Sequence, residues 1–376
     1  MKILLRSPIV KNTAIVAVVV IIVFLFLYVF KFSGNITGFF RIGDVLPLSP
    51  FLNPQDTFIY PEQLGYDGQQ FLSIAFDPFL QQEGTISALD HPLYRYRRIF
   101  YPFLGYLLSL GNVRLIPYTM VGINAVCIVA IAFICGLYLK EKNGTIWRSL
   151  LVLCIPGCWL VFSLSTSDLL SSFLLIASLY YYQKNKPVLT TTFLALACLT
   201  RETVLLVWFA FILVSYWQKN WQQLRHLFIV LLPVFAWNFY VFIRFKNRGI
   251  LGTKTNFDYP FVGIFSKIVG FFQNEFTTST IFEIYLFGIL IACFVSIFWY
   301  GYHQPKQNTL LVGVTFAYGL LFCLSSITIL GYYLDFSRVY MDIYFLLLLS
   351  AGEGAIAIAP LAASGLASVA FLLIQS

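Results

Sequence analysis

Apolar residues along this chain fall into long runs separated by short polar breaks, a spacing that predicts membrane-crossing helices. Such a helix needs roughly 20 predominantly apolar residues. The first run is 13–31, preceded by Lys2, Arg6 and Lys11. It is longer than a signal-peptide core and no small-residue cleavage site follows it, so it reads as a retained first span. A polar stretch containing Pro and Gly occupies 32–101, and the apolar segment 99–110 reads as juxtamembrane or re-entrant. The remaining runs are 116–139, 147–164, 168–183, 187–200, 203–217, 224–244, 281–300, 309–330, 338–352 and 354–374. Together they predict one all-α transmembrane domain over 1–376, a polytopic bundle of about 11 helices. A second long connection lies at 245–280. The runs 168–183, 187–200 and 203–217 are short, and Arg201-Glu202 stand where two of them meet. Broken helices with charges at the break line cavities.

Composition agrees with this pattern. Hydrophobic residues make up 59% of the chain and charged residues 11%, against about 25% charged in soluble domains. The mean hydropathy is +0.82. The net charge of +8 does not indicate nucleic-acid binding, because the basic residues are scattered among short loops, as in membrane topology. The seven cysteines all sit inside apolar runs, where free Cys packs as a small hydrophobe.

Loop charges place the N-terminus in the cytoplasm with Lys11, Lys140, Lys142, Arg148, Lys184, Lys186, Lys219, Arg225 and Lys306. Arg244 and Lys246 oppose that orientation. Both long connections, 32–101 and 245–280, then face the extracytoplasmic side.

Candidate chemistry gathers on that side in four places. The first loop holds Tyr66-Asp67-Gly68-Gln69, Asp77, Asp90-His91 and Tyr94-Arg95-Tyr96-Arg97-Arg98. A carboxylate beside an arginine cluster suits acid/base work next to a bound phosphate, since the planar guanidinium donates two parallel hydrogen bonds. A solvated loop held by salt bridges is the plainer reading. Ser165-Thr166-Ser167-Asp168 opens a span and reads as a helix cap that also favours an anion. Arg201 and Glu202 are neighbours that cannot share a helix face, so each needs a separate partner. Asp335-Phe336-Ser337-Arg338, with Asp342 beyond it, heads a late span. There Arg338 reads either as a cavity cation or as an interfacial arginine with its head in water.

This arrangement resembles the GT-C superfamily of membrane glycosyltransferases, which use polyprenyl-phosphate-linked sugars. Tyr66-Asp67-Gly68-Gln69 followed by Ile74-Ala75 is similar to the Trp-Asp motif of the GPI mannosyltransferases of the second-mannose type. Thr200-Arg201-Glu202 is similar to their Thr/Arg-Ser motif at a helix break, and Arg338 matches in position. The string from Tyr66 through Arg98 also resembles bacterial membrane proteins linked to cell-surface glycopolymer formation. Gly68 and Gln69 depart from the eukaryotic pattern.

The resemblance implies a GT-C-like bundle with a long first extracytoplasmic loop, in a bacterial inner or plasma membrane. It implies sugar transfer with inversion from a polyprenyl-phosphate donor to a glycan or glycolipid acceptor. Asp67 would be the catalytic base. Tyr66, Gln69, Asp77, Asp90, Arg95, Arg97, Arg98, Asp168, Arg201, Glu202 and Arg338 would surround the substrate and its phosphate. Asp67, Asp77, Asp90 and His91 are also candidate ligands for a divalent metal, a point the resemblance leaves open. The competing readings are a lipid-linked glycan flippase or transporter, a surface-glycan polymerase or ligase, and an assembly subunit.

Overall fold

Prolines set many of the helix starts. Pro8, Pro92, Pro156 and Pro187 each stand in the first turn of a helix, where the missing N–H has no intrahelical partner to lose. In a computed structural model of the chain, the described residues are 7–246, 256–273, 275, 277–303, 305–350 and 355–374, the side chains of 305–308, 355–357 and 374 excepted. Lys2, Arg6 and residues 247–255 of the second connection lie outside them, as does the side chain of Lys306.

Helix α1 (Pro8–Phe26) runs into a π-helical turn ending at Lys31. The first long connection then carries β1 (Ile42–Gly43), β2 (Ile59–Tyr60), α2 (Asp67–Phe76), α3 (Glu83–Ser87) and α4 (Pro92–Tyr96). It is a folded unit rather than an open loop. The two short strands pair in parallel, Ile42 against Ile59, and among the described residues they are the exception to an all-α chain. Next come α5 (Phe100–Leu108), α6 (Ile116–Glu141), a 3-10 segment (Ile146–Cys154), α7 (Pro156–Leu164), α8 (Asp168–Gln183), α9 (Pro187–Thr200) and α10 (Val204–Trp217). Helices α11 (Trp221–Leu227), α12 (Leu231–Phe245) and α13 (Val262–Gln273) lead to α14 (Thr278–His303) and α15 (Pro305–Leu324). The chain continues through α16 (Ile327–Leu330), α17 (Tyr333–Val339), α18 (Met341–Ser350) and α19 (Ala355–Ile374).

Among the described residues, four stretches are long and apolar enough to cross a membrane: Pro8–Lys31, Ile116–Glu141, Trp221–Phe245 and Thr278–His303. The pair Ile146–Cys154 and Pro156–Leu164, bent by 54°, makes a fifth if taken as one span. The run expected at 309–330 is interrupted at Ser325-Ser326, between α15 and α16. The second connection holds a helix, α13, that its loop assignment did not anticipate. Its apolar positions 262, 265, 268, 269 and 272 recur at helical spacing.

On α1, Ile15, Val18, Ile21, Ile22 and Leu25 are exposed. Such a surface matches hydrocarbon rather than water. Inside, α1 packs on α6, α6 on α8, α8 on α9, α10 on α15, and α14 on α15, α18 and α19.

Two local features bring distant segments to one place. A Cβ at Gly68 would lie 2.2 Å from the Leu164 carbonyl oxygen and 2.9 Å from that of Phe40. Glycine there lets the first turn of α2 press onto the end of α7. Ser165 then takes a left-handed conformation, φ 45°, and the chain turns into α8. At the other wall, buried Lys267 on α13 pairs with Glu283 on α14 at 2.5 Å and donates to the Gly331 carbonyl at 2.8 Å. That fixes the turn before α17.

Gly68→Ala is expected to lower stability by about 1–3 kcal/mol, the usual cost of overpacking. Gly122, which has nothing within 4 Å of the same atom, is the control. Thermal unfolding of purified protein reads the difference, and equal midpoints for the two alanine variants would overturn this packing account.

Candidate functional site

Segments far apart in sequence meet around a cavity of about 360 Å³. It is lined by Asp67 of α2, Arg95 of α4, Arg97 and Arg98 just beyond it, Asp168 of α8, Arg201 and Glu202 at the α9–α10 break, and Asp335 and Arg338 of α17. Five arginines and four carboxylates therefore share one small space.

Asp67 sits at the centre because α2 begins there. Tyr66 is extended (φ −132°) and Asp67 opens the first turn, where a carboxylate suits the helix dipole. Its Oδ1 lies 2.7 Å from Arg95 Nη1, and its Oδ2 pairs with Arg338 Nη1. Burial raises the Asp67 carboxyl pKa, but the charges of Arg338, Arg95 and Arg98 outweigh it and hold the group well below the usual carboxylate range. Removing one partner from such a buried pair costs on the order of 3–5 kcal/mol.

Four of the five arginines have their own support. Arg95 is gripped from behind by Asp90, which accepts from both Nε and Nη2 at 2.8 Å. Arg98 makes a two-bonded fork with Glu202, 2.7 Å on each arm, and stacks 4.4 Å from the Tyr94 ring centre. Arg338 lies 5.0 Å from the centre of the Tyr66 ring, and the Tyr66 hydroxyl donates to Asp335 at 2.6 Å.

Arg201 adopts an extended backbone (φ −154°) that ends α9. Its Nη1 reaches Asp168 at 3.1 Å while Glu202 turns to Arg98. The two neighbours thus serve different partners.

Three sequence expectations need correction. Gln69 does not face the cavity. Its side-chain oxygen accepts from the Gly43 N–H at 2.9 Å and so completes the edge of the small sheet. Asp77 caps backbone instead, accepting from the N–H groups of Gln81 and Gln82 at 2.8 Å. Asp168 is no cap: Ser167 precedes α8 without a side-chain cap bond, and Asp168 instead accepts from Thr166 at 2.7 Å and pairs with Arg201.

Asp90 stands outside the lining and acts through Arg95. His91 is half-buried at the start of α4. Among the described residues, no three His, Cys, Asp or Glu side chains come together as a metal-binding group, so the set Asp67, Asp77, Asp90 and His91 is not assembled.

The structure also adds Thr203, Asn256, Phe257 and Thr328 to the lining. Asn256 and Phe257 arrive because the Phe257–Ser325 bridge straps the second connection across the α15–α16 break. No charge or motif marks these positions in the sequence.

The stability contributed by Glu202 should follow its ionisation. Burial raises its pKa, but the charge and hydrogen bonds of Arg98 outweigh this, and the group is held below its ordinary value of 4.5. A carboxylate lowered by folding stabilises fully above its unfolded pKa, and that stability is lost as pH falls through the folded value. Wild type is expected to unfold at a higher temperature than Glu202→Gln at neutral pH, with the gap closing as pH falls below 4.5. A gap that is constant with pH would contradict the ion pair. Compared with protein-family models, curated proteins and solved structures, the chain matches none.

Proposed function

We propose that the chain is an integral membrane glycosyltransferase of the GT-C type. In this reading it moves a sugar from a polyprenyl-phosphate donor to a hydroxyl of a glycan or glycolipid acceptor, with inversion, on the extracytoplasmic face. The observation that carries the proposal is Asp67, a buried carboxylate set among arginines in a cavity that adjoins an apolar groove. The shorter helices α8, α9, α10, α15, α18 and α19, together with the four long stretches and the bent pair, make up the roughly eleven crossings of this topology.

The groove supports a lipid-linked donor. It has a volume of about 830 Å³ and lies between α10 and α15, lined by Leu206, Ala210, Leu213, Gly313, Phe316 and Leu320 among others. The same two helices reach the arginine cavity through Thr203 at the start of α10 and Leu321 of α15. From Leu206 to Trp217 the groove follows α10 for roughly 16 Å at the helical rise. A phosphate among the arginines would therefore have a place for its hydrocarbon chain along the bundle.

In the proposed step the acceptor oxygen attacks the anomeric carbon. Its proton passes to a carboxylate oxygen of Asp67, and the carbon–oxygen bond to the phosphate breaks. The electron pair leaves on the phosphate oxygen, where fixed guanidinium charges stabilise it. Preorganised cations aimed at developing charge are the usual large contribution to such catalysis. A base must lie within hydrogen-bond reach of the hydroxyl it deprotonates, and Asp67 lines the cavity an acceptor would have to enter.

Asp67→Asn is expected to reduce lipid-linked sugar transfer in proteoliposomes by about 10²–10⁴-fold, the range for loss of a general base. Undiminished transfer would remove Asp67 from the mechanism, and absence of transfer by wild type would favour a flippase. Ala210→Trp fills the groove. It is expected to raise KM for a long-chain isoprenyl donor while sparing a short-chain one, and an equal effect on both donors would place the lipid elsewhere.

A further inference from the structure

The five cavity arginines are not held alike. Arg95 and Arg98 are locked, because each gives both Nε and Nη2 to one carboxylate, Asp90 and Glu202 respectively, at 2.7–2.8 Å. Two parallel charge-assisted bonds of this kind are the strongest arrangement an arginine makes.

Arg201 and Arg338 are held more loosely. Arg201 reaches Asp168 through Nη1 at 3.1 Å and the Val339 carbonyl through Nη2 at 3.4 Å. Arg338 pairs closely with Asp67 through Nη1 alone, its next carboxylates being Asp335 at 3.4 Å and Asp168 at 3.8 Å. Both leave a buried Nε–H without a partner, which is costly unless something completes it. Arg97 is exposed at the cavity, and among the described residues no carboxylate pairs with it.

Resting on the glycosyl-transfer reading, we propose that Arg338, with Arg201 and Arg97, is the set that takes the donor's phosphate. Transfer of Arg338 from Asp67 to that phosphate then turns Asp67 into a proton acceptor, so the donor must bind before the acceptor can be deprotonated.

The charge count favours displacement over simple addition. Among the described residues, five arginines meet Asp67, Asp168, Glu202 and Asp335 in the cavity and Asp90 behind it, so the cluster these ten form is already neutral. An arriving phosphate diester adds one negative charge and competes for a guanidinium already in use. Of the two arginines paired with Asp67, Arg338 is the one that can leave, since it gains a partner for its idle Nε–H, whereas Arg95 is forked to Asp90. The Tyr66 ring beneath it offers a face for the cation in either position.

The move also changes Asp67. At rest Asp67 faces Arg95 and Arg98 from α4 and its following segment and Arg338 from α17. Tyr66 precedes it, and Asp168 and Asp335 stand behind Arg338. A carboxylate so heavily paired is a poor base towards a sugar hydroxyl. Once Arg338 has moved, Asp67 keeps Arg95 and gains a phosphate as neighbour. Both changes raise its proton affinity. Donor binding should therefore take up protons, increasingly as pH falls toward the ordinary carboxylate range.

The experiment is titration calorimetry of the full chain in lipid nanodiscs with a methyl isoprenyl phosphate diester, whose single acid group stays ionised throughout. Parallel buffers of different ionisation enthalpy report the protons exchanged. Wild type is expected to take up protons on binding, more at about pH 5.5 than at about pH 7.5. Asp67→Asn should abolish the uptake and bind the diester on the order of tenfold tighter, because the competitor for Arg338 is weakened. Binding by wild type without proton uptake, or unchanged or weaker binding by Asp67→Asn, overturns the handover and leaves the glycosyl-transfer reading standing. Failure of wild type to bind the diester at all overturns that reading as well. The proton uptake of wild type decides the matter even if Asp67→Asn does not fold.

Discussion

The contact on which the site depends is the carboxylate of Asp67 held between Arg95 and Arg338. Asp67 and Arg338 are 271 residues apart in sequence. Their pairing closes the folded first connection onto the last third of the bundle, and the cavity is the space this leaves. From that carboxylate charges alternate in both directions, through Arg95 to Asp90 and through Arg338 to Asp168 and Arg201. In a low-dielectric surrounding an unpaired charge is very costly, whereas an alternating chain of them is tolerable. The same alternation makes the site sensitive to an added anion, which competes with the carboxylates for Arg201 and Arg338.

Packing serves this contact at each end. Gly68 lets α2 approach the end of α7, and the left-handed Ser165 turns the chain so that Asp168 enters the same space. The Lys267–Glu283 pair steadies the turn that leads into the helix of Arg338. The break between α9 and α10 gives up helical hydrogen bonds, and in exchange Arg201 and Glu202 reach different walls. In a membrane bundle such a break is stable only where the freed groups line a cavity or find protein partners.

Much of the helical framework was legible in the sequence. The runs 168–183 and 187–200 coincide with α8 and α9, because a long apolar stretch bounded by charge, Gly or Pro has few other ways to fold. Asp67, Arg201 and Arg338 stood out because charges are rare in so apolar a chain. Their partners were not legible, since Arg98 with Glu202 or Arg201 with Asp168 is a tertiary fact with no local pattern. Gln69 and Asp77 were misplaced for a related reason: an amide or carboxylate that satisfies backbone N–H groups looks the same in sequence as one that meets a substrate. Asn256 and Phe257 carry no signal, because a backbone strap brings them to the cavity.

The central claim is that this cavity holds a lipid-linked phosphate beside Asp67. The most direct measurement is a structure of the full chain in nanodiscs with a non-transferable isoprenyl-phosphate sugar analogue bound. The expected result places the phosphate within hydrogen-bond distance of Arg338, the sugar against Asp67, and the hydrocarbon chain between α10 and α15. Phosphate density away from Asp67 and the arginines, with the cavity unfilled, would contradict it.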